Sequence, residues 1–215
     1  EVTRYLELAR SLHEARVDAG RRLAESVEGL VGQLAMKEAS VSVEIDMEVP
    51  EDPGPEHVQP VGLDRVELML QANPGEPARP LRRIASGGEL SRVMLALDIA
   101  LEGALSRRTL LFDEVDQGLG GDVADQLGEL LVRVARRHQV INVTHLPQVA
   151  ARAHRHFHVA KKVKSGRTEA AVRALDNEWD RVDELARMLG GTVVGGTAHR
   201  HAEQLLRDAQ SPRTE

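Results

Sequence analysis

The chain contains no cysteine, which excludes a disulfide framework and any zinc site built on cysteine. Only 2% of its residues are aromatic, so leucine, valine, isoleucine and alanine must build the core. No apolar run approaches the roughly 20 residues needed to cross a bilayer, and the charged segment 1–37 is unlike a secretory signal. The net charge of −6 argues against a surface that is basic throughout, while leaving room for a local basic patch. Together these absences favour a protein of the reducing cytoplasm with an aliphatic core.

The first 37 residues contain no proline and predict one long helix. Leu23, Val27, Leu30 and Leu34 follow one another at spacings of four, three and four, which is the rhythm of a coiled-coil seam. An ordinary amphipathic helix has the same spacing, but the length favours a coiled coil. Because the chain opens inside this helix, we expect a fragment, with the end of a coiled-coil helix over 1–37 and one lobe over 38–215.

The pattern after this helix predicts an α/β lobe. Apolar and polar residues alternate over 41–48 and again over 66–70, which predicts two half-buried strands that pair as a hairpin. Helical and apolar segments then alternate, which is typical of parallel strands joined by helices. The predicted elements are a helix over 88–105, a strand over 109–113, a helix over 122–137, a strand over 140–144, a hairpin over 157–163 and 168–175, and helices over 181–189 and 197–210.

Two acids, Asp113 and Glu114, follow the apolar segment 109–112. Ligands of open α/β sheets bind at the carboxyl ends of the strands, where a nucleotide's Mg²⁺ needs a carboxylate. A second acid beside the first can orient a water molecule or take its proton. Solvated acids at an exposed strand end are the simpler interpretation when this segment is considered alone.

A glycine-rich turn, Ser86-Gly87-Gly88-Glu89, precedes a predicted helix. Glycine lets the backbone approach an anion, and the start of a helix offers free N–H groups and the positive end of the helix dipole. Ser86 can cap the helix or bond a phosphate oxygen. A plain helix-start turn explains the same residues.

A histidine, His145, follows another apolar strand 31 residues after Glu114. One helix and one strand separate the two positions, and this connection brings adjacent strand ends to one crevice. A lone histidine at a strand end is usually structural, so the order of the three segments is more informative than any one of them.

That order resembles the ABC-type ATPases, which have a signature loop, a Walker B strand and a switch histidine. The long helix ahead of it is similar to the SMC-like group, whose heads are divided by a coiled coil. Within that group, longer strings resemble the RecN family of bacterial DNA repair proteins. These strings are residues 71–76, 84–92, 112–121, 143–150 and 184–191.

The resemblance implies a role for each matching residue. Asp113 would hold Mg²⁺, Glu114 would position or deprotonate the hydrolytic water, and His145 would contact the γ-phosphate of ATP. Asp116 and Gly120 would belong to the loop between two nucleotide sites, where many relatives carry an aspartate at the position of Gly120. The residues that would reach the nucleotide of an opposite head are Ser86, Gly87, Gly88 and Glu89.

The segment Gly-x-x-x-x-Gly-Lys-Ser/Thr, which cradles phosphates, does not occur in the sequence. In the family that this chain resembles, it lies in an amino-terminal lobe. The resemblance therefore implies the carboxy-terminal lobe of an ABC-type head that needs its amino-terminal lobe and a second copy to hydrolyse ATP. It also implies DNA as a partner in double-strand break repair and recombination, at the cytoplasmic nucleoid, with no membrane contact. The lobe alone would be nearly inactive.

Four alternatives stay open. The chain could be another SMC-like head, or a non-hydrolysing clamp that keeps the ABC outline, although Glu114 argues against the clamp. His154, His156 and His158 alternate along a predicted strand, so they could share a zinc ion. A basic turn could touch a DNA backbone or simply be solvated; it consists of Lys161, Lys162, Lys164 and Arg167.

Overall fold

The computed structural model describes residues 1–104, 106–164, 167–190 and 196–210, with only the backbone described for 162–164, 167, 168 and 210. The chain divides into two compact units, Glu1–Leu105 and Ser106–Glu215. Both combine helices with strands, and the predicted α/β class is confirmed. Within the described ranges, no helix has the length and apolarity required to span a membrane.

The first unit holds a long helix and a three-stranded antiparallel sheet. The predicted hairpin pairing is confirmed, with Val41 opposite Leu70 and Ile45 opposite Val66. The third strand has only two residues, and it pairs with the second near Met69. The elements are α1 (Val2–Gly32), β1 (Ser40–Met47), β2 (Asp64–Gln71), β3 (Arg79–Pro80) and α2 (Gly87–Ala100).

The carboxy-terminal half of α1 packs on this sheet. Val27 is fully buried in a cluster with Val41 and Leu70, because the apolar seam of the helix faces the inner side of β1 and β2. Gly20 allows the close approach, since a Cβ there would lie 3.1 Å from the side chain of Ile45. This half of the predicted seam is therefore filled within the chain, and a coiled coil involving α1 stays a prediction.

The amino-terminal half of α1 is anchored by Asp64, the first residue of β2. The Asp64 carboxylate lies 2.7 Å from Nδ1 of His13 and accepts a hydrogen bond from Arg16 at 2.8 Å. Its side chain is only 1% exposed. Burial alone would raise the pKa of Asp64, but the hydrogen bonds from Arg16 and His13 outweigh it and hold the pKa below its ordinary 3.8. The buried carboxylate thus needs both partners on α1.

The second unit begins with two parallel strands joined by a helix, as predicted. The strands β4 (Thr109–Phe112) and β5 (Gln139–Asn142) pair in register, with Thr109 opposite Gln139 and Phe112 opposite Asn142. The joining helix buries Leu127 and Leu131 among other apolar residues. The remaining helices share a core that includes Leu185 and Leu206. The elements are β4 (Thr109–Phe112), α3 (Gly121–Ala135), β5 (Gln139–Asn142), α4 (Pro147–Ala151), the antiparallel pair β6 (Phe157–Lys164) and β7 (Arg167–Ala174), α5 (Glu178–Gly190) and α6 (Gly196–Gln210).

One face of the β4–β5 pair is apolar and exposed. Leu111 and Ile141 lie opposite each other, and their side chains are 68% and 49% exposed. Val143, just beyond β5 on the same side, is 56% exposed. Side chains of adjacent strands form a continuous surface on each face of a sheet, so these three residues make one patch. We refer to Leu111, Ile141 and Val143 as the open sheet face.

Candidate functional site

The carboxyl ends of β4 and β5 lie side by side. The strands are parallel neighbours, and the Val143 amide continues their pairing by donating to the Phe112 carbonyl at 3.0 Å. The segments that follow, beginning at Asp113 and at Thr144, therefore leave the sheet at one edge. The predicted convergence of these two strand ends is confirmed.

Asp113 and Glu114 are both exposed where they follow β4. Glu114 has a φ of +58°, in the left-handed region that a residue with a side chain adopts at a cost of about 1 kcal/mol or more. The next residue, Val115, is fully buried. The left-handed turn at Glu114 thus joins the exposed acids to a segment that returns at once into the core.

Asp116 is the polar centre of this edge. It is only 3% exposed, and its Oδ2 accepts hydrogen bonds from the Thr144 hydroxyl at 2.5 Å and from the His145 amide at 3.0 Å. Nδ1 of His145 lies 3.2 Å from the same oxygen, while the His145 ring is 69% exposed. The Thr144 hydroxyl in turn accepts from the Leu146 amide at 3.0 Å. One buried carboxylate therefore connects the segment after β4 to the segment after β5.

The family resemblance implied that Asp116 belongs to the loop between two nucleotide sites and helps to bind the nucleotide. In the structure its carboxylate is occupied by Thr144 and His145 of the same chain, so a direct contact with nucleotide stays a prediction. Sequence reasoning missed the link because nothing in the spacing of the acids distinguishes a buried Asp116 from the exposed Asp113.

The loop from Asp116 to α3 ends at a glycine pair. Gly118 and Gly121 have φ values of +73° and +55°, which glycine adopts without strain. Gly120 is the exposed N-cap of α3 and provides no side-chain cap. The first N–H groups of α3 are thus left without a capping side chain from Gly120.

The glycine-rich turn lies in the first unit, at the start of α2. Ser86 is the N-cap, and its Oγ accepts from the Glu89 amide at 3.3 Å. Ser86 is half-buried, Gly87 is exposed and Gly88 is buried. The predicted helix start is confirmed, and the predicted contact with an anion stays a prediction.

The exposed carboxylates at this edge are of the kind that the predicted Mg²⁺ site requires. Mg²⁺ is typically held by one or two carboxylates together with water and substrate phosphates. Asp113 and Glu114 supply exposed carboxylates of this kind. In the part of the chain that the structure describes, no cluster of three or more His, Asp or Glu side chains could hold a metal ion unaided.

The prediction that His154, His156 and His158 alternate along one strand is wrong. β6 begins at Phe157, so only His158 belongs to a strand, and His154 is exposed on the preceding turn. Burial, with a smaller contribution from Arg181, lowers the pKa of His156. The zinc interpretation is not supported among the described residues.

The predicted basic turn falls largely outside the described side chains. Lys161 is exposed, whereas the side chains of Lys162, Lys164 and Arg167 are outside the described residues. A contact between this turn and DNA stays a prediction.

Curated relatives match almost the whole chain. DNA repair protein RecN of Streptomyces coelicolor is 47% identical over 213 residues, which cover 96% of this chain and 37% of the relative. RecN of Xylella fastidiosa strain 9a5c is 41% identical over 209 residues, covering 97% of this chain and 36% of the relative. The chain thus spans about a third of the length of these relatives. The predicted resemblance to RecN is confirmed, and no protein-family model matches the chain.

Solved structures of SMC heads are similar at lower identity. The Smc head domain with an extended coiled coil from Pyrococcus furiosus is 18% identical, with a TM-score of 0.49, over 83% of this chain and 41% of that one. The Smc head domain with a coiled coil and joint from Pyrococcus yayanosii is 19% identical, with a TM-score of 0.47, over 89% of this chain and 29% of that one. Superpositions at these scores are partial.

Proposed function

Because this chain belongs to the RecN family of DNA repair proteins and corresponds to its carboxy-terminal part, we propose that it forms half of a head that hydrolyses ATP. Two such heads would pair during DNA double-strand break repair and recombination, at the cytoplasmic nucleoid. The observation that best supports this function is the shared edge where Asp113 and Glu114 follow β4 and where Asp116 holds His145 after β5. The names of the relatives favour this function over that of another SMC-like head.

ATP and Mg²⁺ would supply the phosphoanhydride bond to be broken and the cation that neutralises its oxygens. Asp113 would contribute a carboxylate to the cation, as its exposed position after β4 allows. Glu114 would orient the attacking water and accept its proton, for which its exposed carboxylate and the fixed left-handed turn are suited. The presence of this second acid argues against a non-hydrolysing clamp, which would have no need of it.

His145 would present its exposed ring to the γ-phosphate. Asp116 accepts a hydrogen bond from the His145 amide, and its Oδ2 lies 3.2 Å from Nδ1, which leaves Nε2 on the far side of the ring from the carboxylate. Nε2 would donate a hydrogen bond to a phosphate oxygen in the ring state in which this nitrogen carries a proton. Asp116 would act through His145, by holding its backbone and limiting the rotation of its side chain.

Ser86 and Gly87 would serve the nucleotide of the opposite head. Oγ of Ser86 accepts from Glu89, which leaves the hydroxyl proton available to a phosphate oxygen. Gly87 is exposed at the start of a helix of 14 residues, where the N–H groups and the dipole favour an anion. The Ser86 hydroxyl and the start of α2 could bind a phosphate only if another molecule or lobe supplies it.

The amino-terminal lobe of the same protein would supply the missing phosphate cradle. The chain has no Gly-x-x-x-x-Gly-Lys-Ser/Thr segment and covers only about a third of its relatives, so the remaining length has room for that lobe. The open sheet face is an apolar surface that such a lobe would bury, with Leu111 the most exposed of its residues. This chain alone would then be nearly inactive, because half a site cannot position the phosphates.

The central experiment replaces Glu114 with Gln in the full-length protein. A general base contributes about 10²–10⁴-fold, so steady-state ATP hydrolysis should fall by at least about two orders of magnitude while ATP binding is kept. ATP should then trap paired heads, which light scattering measures as a doubled mass. Asp122→Asn is the matched control, because Asp122 is an exposed acid in the first turn of α3. Unchanged hydrolysis in Glu114→Gln would remove Glu114 from this role.

A second experiment tests the lobe partner. The amino-terminal remainder and this chain, produced as separate polypeptides, should copurify, and Ile141→Asp on the open sheet face should abolish the association. Val61→Asp is the control, because Val61 is a comparably exposed apolar residue of the first unit, at 63%. Copurification that survives Ile141→Asp would contradict a lobe packed on this face.

A further inference from the structure

A shallow cavity of about 480 Å³ lies at the end of the β4–β5 pair opposite the acids. Four arginines line it: Arg107 and Arg108 ahead of β4, and Arg136 and Arg137 after α3. All four are exposed. No acidic residue is among the described residues that line the cavity. We call these four residues the basic cleft.

Three hydrogen bonds hold the two segments of the basic cleft together. The Gln139 amide donates to the Arg108 carbonyl at 3.1 Å, and the Arg108 amide donates to Nδ1 of His138 at 3.3 Å. The Thr109 hydroxyl donates to Oε1 of Gln139 at 2.9 Å. The arginines therefore project from a fixed backbone, although the two pairs are almost 30 residues apart in the sequence.

The charge of the cleft is unusual for this protein, whose net charge is −6. Cations at the carboxyl end of a helix offset its dipole, which accounts for Arg136 and Arg137 after α3. It does not account for Arg107 and Arg108, which come from a different segment. The His138 side chain adds no exposed donor to the cleft, because the residue is 8% exposed and its Nδ1 accepts a hydrogen bond from the Arg108 amide.

We propose that the basic cleft binds the phosphate backbone of duplex DNA. Each guanidinium carries five N–H donors and matches a phosphate in bidentate geometry. Arg108 and Arg137 also interact with neighbouring groups of the protein, and a guanidinium with five donors keeps some for a phosphate when others are used. The choice of DNA as the polyanion rests on the proposed function in DNA repair.

The lining favours duplex DNA over a single strand. Proteins that hold single strands combine basic grooves with aromatic side chains on which the bases stack. The described residues that line the cleft contribute no Phe, Tyr or Trp, and the His138 ring is buried. Arginines without a stacking platform suit contacts with phosphates that carry no sequence information.

The cleft is separate from the acids of the proposed ATP site. Arg108 precedes β4 and Asp113 follows it, so the two sites lie at opposite ends of one strand, roughly 16 Å apart at about 3.3 Å per residue. DNA binding at the cleft should therefore be measurable without nucleotide.

The test measures the affinity of the full-length protein for a labelled duplex at several salt concentrations, without ATP. In the double variant Arg107→Gln and Arg136→Gln, the negative slope of log affinity against log salt should become less steep by about 0.9 for each lost phosphate contact. Single-stranded DNA of the same length should bind more weakly in the parent protein. The matched control is Arg82→Gln with Arg83→Gln, two neighbouring exposed arginines of the first unit.

Two further measurements distinguish a loss of DNA contacts from damage to the head. ATP hydrolysis without DNA should be unchanged in the double variant, which reports that the head is intact, and Arg107→Lys with Arg136→Lys should keep most of the salt slope. A salt slope unchanged by Arg107→Gln and Arg136→Gln, or an equal loss in the control pair, would overturn the proposal, as would tighter binding of the single strand. Loss of ATP hydrolysis by Glu114→Gln tests the proposed function alone, because the DNA measurement uses no nucleotide.

Discussion

Asp116 offers the most direct test of the site, because one oxygen of its carboxylate holds two donors from the segment after β5. In Asp116→Ala, the Thr144 hydroxyl and the His145 amide both lose a charged acceptor. Hydrogen bonds to charged groups contribute about 1.5–3 kcal/mol each, and partial access of water to the half-buried Thr144 offsets some of the loss. We therefore expect local opening at His145 to become easier by about 2–3 kcal/mol.

Amide hydrogen exchange at His145 measures this opening directly. Since 1.4 kcal/mol corresponds to a factor of ten, exchange of the His145 amide should accelerate by about 30- to 140-fold in Asp116→Ala. Asp116→Asn retains a neutral acceptor of the same shape, so its acceleration should be only about fivefold. If His145 contacts the γ-phosphate as proposed, ATP hydrolysis by the full-length protein should fall in the same order, with nucleotide binding nearly unchanged, because His145 loses its orientation.

The control for this experiment is Asp122→Ala, which removes the same charge from the exposed first turn of α3. It should leave exchange at His145 unchanged. Equal exchange in Asp116→Ala and the parent protein would show that the carboxylate does not hold the strand end. An equal acceleration in Asp122→Ala would show a general effect of charge, and either result would refute the reasoning.

Three further predictions concern other parts of the chain. Ser86→Ala should cost about 1 kcal/mol of stability through the lost cap. In the full-length protein it should weaken ATP-dependent pairing while leaving nucleotide binding by the monomer unchanged. An equal loss of nucleotide binding by the monomer would contradict action across a pair. Because the pKa of Asp64 is lowered in the folded state, its carboxylate stabilises the fold above pH 3.8, and this contribution is lost as the pH falls through the folded pKa. The free energy of unfolding of Asp64→Asn should therefore fall less steeply with decreasing pH than that of the parent protein in that range. Gly20→Leu should lower the free energy of unfolding by about 1–3 kcal/mol, because a side chain there meets Ile45. Gly29→Leu should stabilise α1 slightly, because the space around Gly29 is open. Equal thermal midpoints for the two variants would refute the close contact at Gly20.

Elements with a sustained period were predictable from the sequence. The alternation that begins at Val41 gave β1 to within one residue, and the apolar stripe ending at Val134 gave α3 to within two residues at its carboxyl end. These patterns are local, because each residue reports the face on which its own neighbours lie. Short elements carry no such period, so the two-residue β3 and the five-residue α4 were missed.

The order of chemical groups along the chain was predictable, whereas the bonds between them were not. Two acids after one apolar strand and a histidine after the next predict a shared edge, because adjacent parallel strands end together. The burial of Asp116 and its bonds to His145 depend on how the segment after Glu114 turns, which involves a left-handed residue that no pattern marks. The basic cleft was also missed, because Arg107 and Arg136 are brought together only by the register of β4 and β5.

If Glu114 carries out the proposed proton transfer, its left-handed backbone sets stability against activity. Glycine and asparagine adopt that conformation more easily than glutamate, so Glu114→Gly or Glu114→Asn would relieve strain at the very position proposed for proton transfer. A library of variants screened only for thermal stability would be enriched in such replacements. Its most stable variants would then be those that no longer hydrolyse ATP. If selection for DNA repair keeps glutamate at this position, then activity, and not stability, determines which residue stands there.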